Sequence, residues 1–372
     1  MAQSNMALKI RPESAHTLVV VFLRGGADGL SMVPPAEDDA YYRARPLIGV
    51  AARDTAPLDG HFGLHPALAP LRRAYDAGDL LIVHGAGSEE DSRSHFAAQD
   101  YLEHGGTGAG GWIGRYLREN TRASGNPLAS VAFGTRYPES LRAAPAAVVV
   151  SSLADIALGP DAGTFVDDLG AAYAATRLPW GGAGESVVRA IRRIETIQAR
   201  LAGGTDTDYP QDPFAQQLRQ AAQLIKAGAG VEAVTLDLDG WDSHVASSPL
   251  ITPLMARLAA GLIAFYDDLG TDRERATVVV ISEFGRRVRE NASLGTDHGR
   301  GGLMMVLGGG VRGGRVLKGW NSLEADALEG PGDLPVTYNF RDVIAPIFQR
   351  HAPDLALNRV FPGYTLAPLD IM

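Results

Sequence analysis

Carboxylates, hydroxyls and imidazoles gather at four places in this sequence, each within a few residues of the end of a short apolar run. Asp28 lies in Arg24-Gly25-Gly26-Ala27-Asp28-Gly29, just beyond Leu18 to Leu23. Asp91-Ser92-Arg93-Ser94-His95-Phe96 comes after Leu80-Leu81-Ile82-Val83. Gly240-Trp241-Asp242-Ser243-His244 comes after Ala233 to Leu238, and Ser282-Glu283-Phe284-Gly285-Arg286 after Thr277 to Ile281. A further cluster, Gly295-Thr296-Asp297-His298-Gly299, sits in the long loop after that last strand-like run. Asp, Glu and His are the oxygen and nitrogen ligands of zinc, manganese, magnesium or calcium, and two such ions about 3.5–4 Å apart clamp both the attacking and the leaving oxygen of a displacement.

Each of these groups also has an ordinary structural use. A carboxylate beside glycine, like Asp28, is common in turns. Either Ser92 or Ser94 can cap the next helix, while the same position gives a hydroxyl free N–H groups and a positive helix dipole, which suit an alkoxide or an anionic substrate. Arg93 adds a charge there, and with no base nearby a metal is needed to lower the hydroxyl's pKa. Asp242 and His244, two apart, point the same way in an extended segment. His61, His65 and His84 flank these loops and read as structural, although His84, at a strand end, is placed to line a site.

The elements that must carry these groups alternate between strand and helix. Strands are expected at about 17–24, 80–84, 131–133, 147–150, 231–238, 276–282 and 302–307, and helices near 66–77, 95–103, 112–117, 185–201, 214–225, 250–269 and 340–350. In an open α/β sheet, ligands bind beyond the carboxyl ends of the strands, so polar groups placed there from distant parts of the chain converge on one site. Gly106 to Gly111 and Gly308 to Gly313 match the glycine spacing of dinucleotide binding but lack its strand-turn-helix setting, so they read as turns. No G-x-S-x-G nucleophile elbow is present. The Gly/Pro-rich stretch 31–62 and the loop 203–212 are the expected shapers of a pocket.

Composition narrows the partners. A formal charge of −9, with Lys and Arg scattered along the chain, argues against nucleic acid, and the absence of cysteine removes thiolate ligands and nucleophiles. The apolar runs are expected to be too short for a membrane span. Residues 1–16 are polar and read as an N-terminal extension without a secretory signal, ahead of a single domain at 17–372 in which 185–230 is a helical segment covering the sheet. As written, the chain is expected in the cytoplasm.

Taken in order, Leu23 to Leu30, Leu64-His65-Pro66-Ala67-Leu68, Arg93 to Phe96, Gly240 to His244, Ser282 to Arg286 and Thr296 to Gly299 resemble the sulfatase-like family known as domain of unknown function 1501, and through it the alkaline phosphatase superfamily. The resemblance implies a three-layer α/β/α sandwich with a mostly parallel central sheet and a site with one or two divalent metals, zinc or manganese before calcium or magnesium. It also implies Ser94 as nucleophile and Asp28, Asp242, His244, Glu283, Asp297 and His298 as metal ligands; Arg24, Arg93, His95 and Arg286 are expected to hold the substrate. Family members commonly carry a twin-arginine export leader, which implies the periplasm if such a leader has been removed.

Two departures stand out. The superfamily usually has Asp-x-x-x-His where this sequence has Asp242-Ser243-His244, and Asp-His where it has Glu283-Phe284. Phenylalanine in place of the second histidine leaves one metal, a pair rearranged around His95 or Asp297, or a degenerate site. The expected activity is hydrolysis of a phosphate or sulfate ester, a small anionic substrate. A phosphomutase or transferase on the same scaffold and a non-catalytic binding or assembly protein with a protein partner are the alternatives.

Overall fold

Strands of β-branched and aliphatic residues, buried on both faces, require cover on both sides. β1 (Thr17–Arg24), the short hairpin β2 (Ala56–Pro57) and β3 (Gly63–Leu64), β4 (Leu80–Gly87), β5 (Ser130–Phe133), β6 (Val148–Val150), β7 (Ala233–Asp239), β8 (Ala276–Ile281), β9 (Gly302–Leu307), β10 (Arg315–Lys318) and β11 (Tyr338–Asn339) appear in that order in a computed structural model. The structure describes residues 16–120, 125–156, 163–176, 181–200 and 207–372. Residues 1–15 of the expected N-terminal extension and residues 203–206 of the expected pocket loop lie outside the described residues.

Nine strands form one sheet in the order β10-β4-β9-β8-β1-β7-β5-β6, with β11 also paired to β4. Every pairing within it is parallel except those made by β9, which runs against β4 and β8. Alternation along β1 shows the layering. Val19, Val21 and Leu23 enter one core with Leu218 and Leu224 of α8 (Pro213–Lys226) and Met255 and Leu262 of α9 (Ser247–Leu269). Leu18, Val20 and Phe22 enter a second core with Leu102 of α4 (His95–His104), Trp112 and Tyr116 of α5 (Trp112–Glu119), and Ile344 and Phe348 of α10 (Phe340–His351). The result is a three-layer α/β/α sandwich around a mostly parallel sheet. The remaining helices are α1 (Gly29–Met32), α2 (Asp39–Ala44), α3 (Arg72–Asp76), α6 (Gly163–Ala175), α7 (Gly181–Arg200) and α11 (Leu357–Val360).

Three local readings change. The stretch near 66–77 begins as a 3₁₀ segment, Pro66–Leu71, and becomes helical only at Arg72, because Pro70 has no N–H to donate. The excursion 31–62 carries two short helices and a hairpin rather than open loop. The apolar segment around α9 is long and apolar enough to cross a membrane by length and composition, contrary to expectation. Its Ile251, Met255, Leu258, Leu262, Phe265 and Leu269 are buried against the sheet and neighbouring helices, which is the stripe of a core helix.

The parallel strands bring their carboxyl ends to one edge, and the candidate groups come with them. β1 leads to Asp28, β4 to Ser92 through His95, β7 to Asp242 and His244, and β8 to Glu283. Because β9 runs the other way, His298, a few residues ahead of it, reaches the same edge. The long loop 283–300 is an irregular hairpin: Gly285 N donates to Arg300 O at 2.9 Å, Arg287 N to Asp297 O at 3.0 Å and Asn291 N to Gly295 O at 2.9 Å.

Candidate metal centre

Two glycines after β1 let this edge close up. Gly25, at φ +118°, approaches so near that a Cβ would lie 2.4 Å from the backbone N of Asp242, and at Gly26, φ +66°, a Cβ would lie 2.5 Å from the Phe284 ring. The loops after β1, β7 and β8 therefore meet in close contact. Arg286, buried to 2% exposure, ties them. It donates to the carbonyls of Gly25 at 2.6 Å, Gly26 at 2.7 Å and Thr296 at 3.0 Å, and to Asp242 Oδ1 at 2.7 Å.

At this junction His95, Asp242 and His298 each present one ligand atom within 4.8 Å of the others. Asp242 Oδ2 is 3.5 Å from His95 Nε2, and its Oδ1 is 3.2 Å from His244 Nε2 and 3.6 Å from His298 Nε2. The His244 and His298 Nε2 atoms are 2.8 Å apart.

The outer partners of the rings decide what these nitrogens can do. His298 Nδ1 lies 2.8 Å from the carbonyl of Arg93, and His95 Nδ1 lies 2.8 Å from Glu283 Oε1. Only a protonated Nδ1 can face such acceptors, so in the neutral imidazoles both Nε2 atoms turn lone pairs toward Asp242. His244 Nδ1 faces Asp297 Oδ1 more loosely, at 3.6 Å. His95 Nε2 is buried and has no hydrogen-bond partner. Converging lone pairs, a carboxylate and an orphaned buried nitrogen form a donor set that fits a divalent cation with nitrogen and oxygen preference. The hydrogen bond that His95 donates to Glu283 raises the pKa of His95, whereas burial lowers that of His298. Desolvation would raise the Asp242 carboxyl, but the hydrogen bond and charge of Arg286, with the nearby imidazoles, hold it below its usual value.

Glu283 is 2% exposed, and its Oε1 accepts from Gly25 N, His95 Nδ1 and Gln99 Nε2 at 2.8–2.9 Å while Ser282 Oγ donates to Oε2 at 3.0 Å. Both of its oxygens are thus engaged within the protein, and the bond from His95 Nδ1 fixes the orientation of that ring. Asp28 is likewise occupied. It is 1% exposed and forked by Arg45, at 2.6 and 3.0 Å, with Ser31 Oγ at 2.8 Å. Against strong desolvation, Arg45 holds its pKa below the ordinary carboxylate value. Phe284 packs its ring 4.8 Å from the rings of both His95 and His298, filling the space beside them with carbon.

The arginines expected to hold substrate all have protein partners. Arg24 reaches Asp237 and Glu103 at 2.9 Å and Gln99 at 3.1 Å, Arg93 bonds the buried Asp333, and Arg286 ties the three loops. Asp297 accepts from Asn291 at 3.2 Å and Arg287 at 3.1 Å, and the hydrogen bond from Asn291 leads the effects that lower its pKa. Ser94 is the N-cap residue of α4, and its side chain caps nothing. The chain is fixed on either side of it, through the Arg93 carbonyl on His298 and through His95 on Glu283. His84 is buried among Phe62 and Trp320, with Nε2 donating to the Val33 carbonyl at 2.8 Å, so it belongs to the core. Sequence reasoning missed Arg45, Gln99 and Asp333, whose only signal is polarity.

Fold and site together define an α/β sandwich protein with a histidine and aspartate cluster at the carboxyl edge of its sheet. Residues 186–356 match the family described as "Protein of unknown function (DUF1501)", a region that contains Asp242, His244, Glu283, Asp297 and His298 but neither Asp28 nor Ser94. No curated protein matches the chain. Among solved structures it is similar to Ps i-CgsB in complex with k-i-k-neocarrahexaose, with a TM-score of 0.39, and to Ps i-CgsB alone, with 0.37. Each comparison has 11% identity and covers 94% of this chain and 75% of the other.

Proposed function

We propose that this protein is a metal-dependent hydrolase of phosphate or sulfate esters, working with one divalent ion, zinc or manganese, held by His95, Asp242 and His298 with His244 beside them. One observation carries the reading: imidazoles whose Nδ1 protons are committed to Glu283 and Arg93 aim Nε2 lone pairs at one carboxylate. When bound, the ion would supply Lewis acidity that lowers the pKa of a nearby hydroxyl and offsets charge on the ester.

The chain's own part is positioning. Ser94 offers a hydroxyl with no capping bond to break, and the free N–H groups of the first turn of α4 favour an anion beside it. In this reading Ser94 Oγ attacks phosphorus or sulfur, its proton leaves to solvent, the alcohol departs with the bridging oxygen, and water then releases the acid from the serine. Ser94→Ala, assayed on aryl phosphates and aryl sulfates beside a metal determination, is expected to lose turnover and keep the metal; full activity in this variant refutes the nucleophile. The partnered state of Arg24, Arg93 and Arg286 favours a second reading, a non-catalytic binding protein. Inactivity of the metal-loaded wild type on both ester classes would support it.

A further inference from the structure

Beside the metal centre lies a cleft of about 650 Å³ that the ester chemistry at the metal does not use. Its floor is the sheet itself. On β7, Val234 and Leu236 face the core under α8 and α9, while the alternate residues Thr235 and Asp237 line the cleft, as does Asp239 at the strand end. A mostly parallel sheet is normally covered on both faces by apolar packing. Here one face carries polar groups toward open space.

Thr235 on that floor has no partner for its hydroxyl within the protein. The residue is 7% exposed and its Oγ1 is buried. An unpaired buried hydroxyl is unfavourable, and a ligand hydroxyl or carbonyl would satisfy it. Phe96, which also lines the cleft, is 86% exposed, an apolar ring presented there.

The charge balance selects the class of ligand. Of the five lining carboxylates, Glu103 and Asp237 pair with Arg24, and Glu139 pairs with Arg142. Asp100 and Asp239 then face a single further lining cation, Arg136. The lining therefore stays net negative, which turns away an anion and leaves carboxylate oxygens to accept from ligand hydroxyls. A neutral molecule with many hydroxyls fits acceptors, an unpaired Thr hydroxyl and an aromatic face together.

The cleft is joined to the metal centre through α4. Gln99 lines the cleft, accepts from Arg24 at 3.1 Å, and on its other side donates to Glu283 at 2.9 Å, while Phe96 adjoins His95 in sequence. We propose that the cleft binds the neutral, polyhydroxylated part of the substrate, a sugar or sugar-like polyol, so that the ester is a sugar ester. The sugar site stands on the cleft; its role in hydrolysis rests on the reading of the metal centre as a hydrolase.

Saturation-transfer NMR on the full chain tests it, using neutral di- and trisaccharides of glucose, galactose and mannose, with spermidine and inorganic phosphate as controls. At least one saccharide is expected to bind wild type and Ser94→Ala alike, and to bind at least tenfold more weakly to Phe96→Ala and to Asp239→Asn, both changes at exposed side chains that leave the core intact. No saccharide binding, binding unmoved by both variants, or binding of spermidine alone overturns the proposal. A failed hydrolase reading shows up separately, as Ser94→Ala with unchanged turnover and unchanged saccharide binding.

Discussion

Asp28→Asn separates a structural carboxylate from a metal ligand. In the fold Asp28 takes two hydrogen bonds from Arg45, at 2.6 and 3.0 Å, and Arg45 is itself 1% exposed, with its other donors on the carbonyls of Val288 at 2.8 Å and Arg287 at 2.9 Å. An amide keeps an acceptor for one Arg45 N–H and the bond from Ser31, but removes the charge opposite a buried guanidinium. Breaking such a buried pair costs about 3–5 kcal/mol, and the retained acceptor puts this variant near the lower end, about 3 kcal/mol. In urea, with a slope on the order of 3 kcal/mol/M for a chain of this size, the unfolding midpoint falls by about 1 M. The metal content stays at the wild-type value.

The acid limb gives a second readout. Arg45 overcomes desolvation and depresses the Asp28 pKa in the fold, so as pH falls the unfolded chain takes up this proton first and the wild type loses stability below the ordinary carboxylate pKa of 3.8. Asp28→Asn has no such proton to take up, and its stability falls less steeply there. An unchanged midpoint with the metal lost would refute the reasoning and make Asp28 a ligand.

Glu283→Gln keeps the shape but weakens the hold on His95 Nδ1, and is expected to reduce metal affinity about 10–100-fold in competition with a chromogenic chelator; unchanged affinity would remove Glu283 from its orienting role. Phe284→His restores an imidazole beside His95 and His298, yet metal content by elemental analysis is expected to stay at one equivalent because Arg45 still occupies Asp28; a second equivalent would contradict that. His84 is kept neutral by burial, with a pKa pushed down to about 4. Between the ordinary imidazole value of 6.5 and about pH 4 the unfolded chain binds a proton that the fold refuses, so stability falls with pH over that window. His84→Gln, studied by urea unfolding across that range, is expected to flatten the fall, and an unaltered slope counts against it.

The strand runs and the polar clusters after them were legible because burial on two faces writes continuous apolar segments, and because parallel strands deliver their succeeding loops to one edge. The helices expected near 95–103 and 112–117 were likewise legible, and the structure places them at His95–His104 and Trp112–Glu119. The division of labour among the polar residues was not legible. Glu283 and Asp242 look equivalent as letters, yet one sits under Gly25, His95 and Gln99 while the other is half exposed at the convergence of imidazoles. Asp28 stands after its strand as a ligand would, and only the return of Arg45 from the end of α2, seventeen residues on, takes it up. His95 stood among the substrate-holding groups because its tautomer depends on Glu283, a contact across 188 positions.

Metal stoichiometry per chain, measured by elemental mass spectrometry on protein purified without chelator or metal-affinity resin, tests the central claim most directly. One equivalent of zinc or manganese, lost in both His95→Ala and Asp242→Ala but retained in Asp28→Asn, is the result the account predicts. No metal after incubation with excess ions, or two equivalents that depend on Asp28, would contradict it.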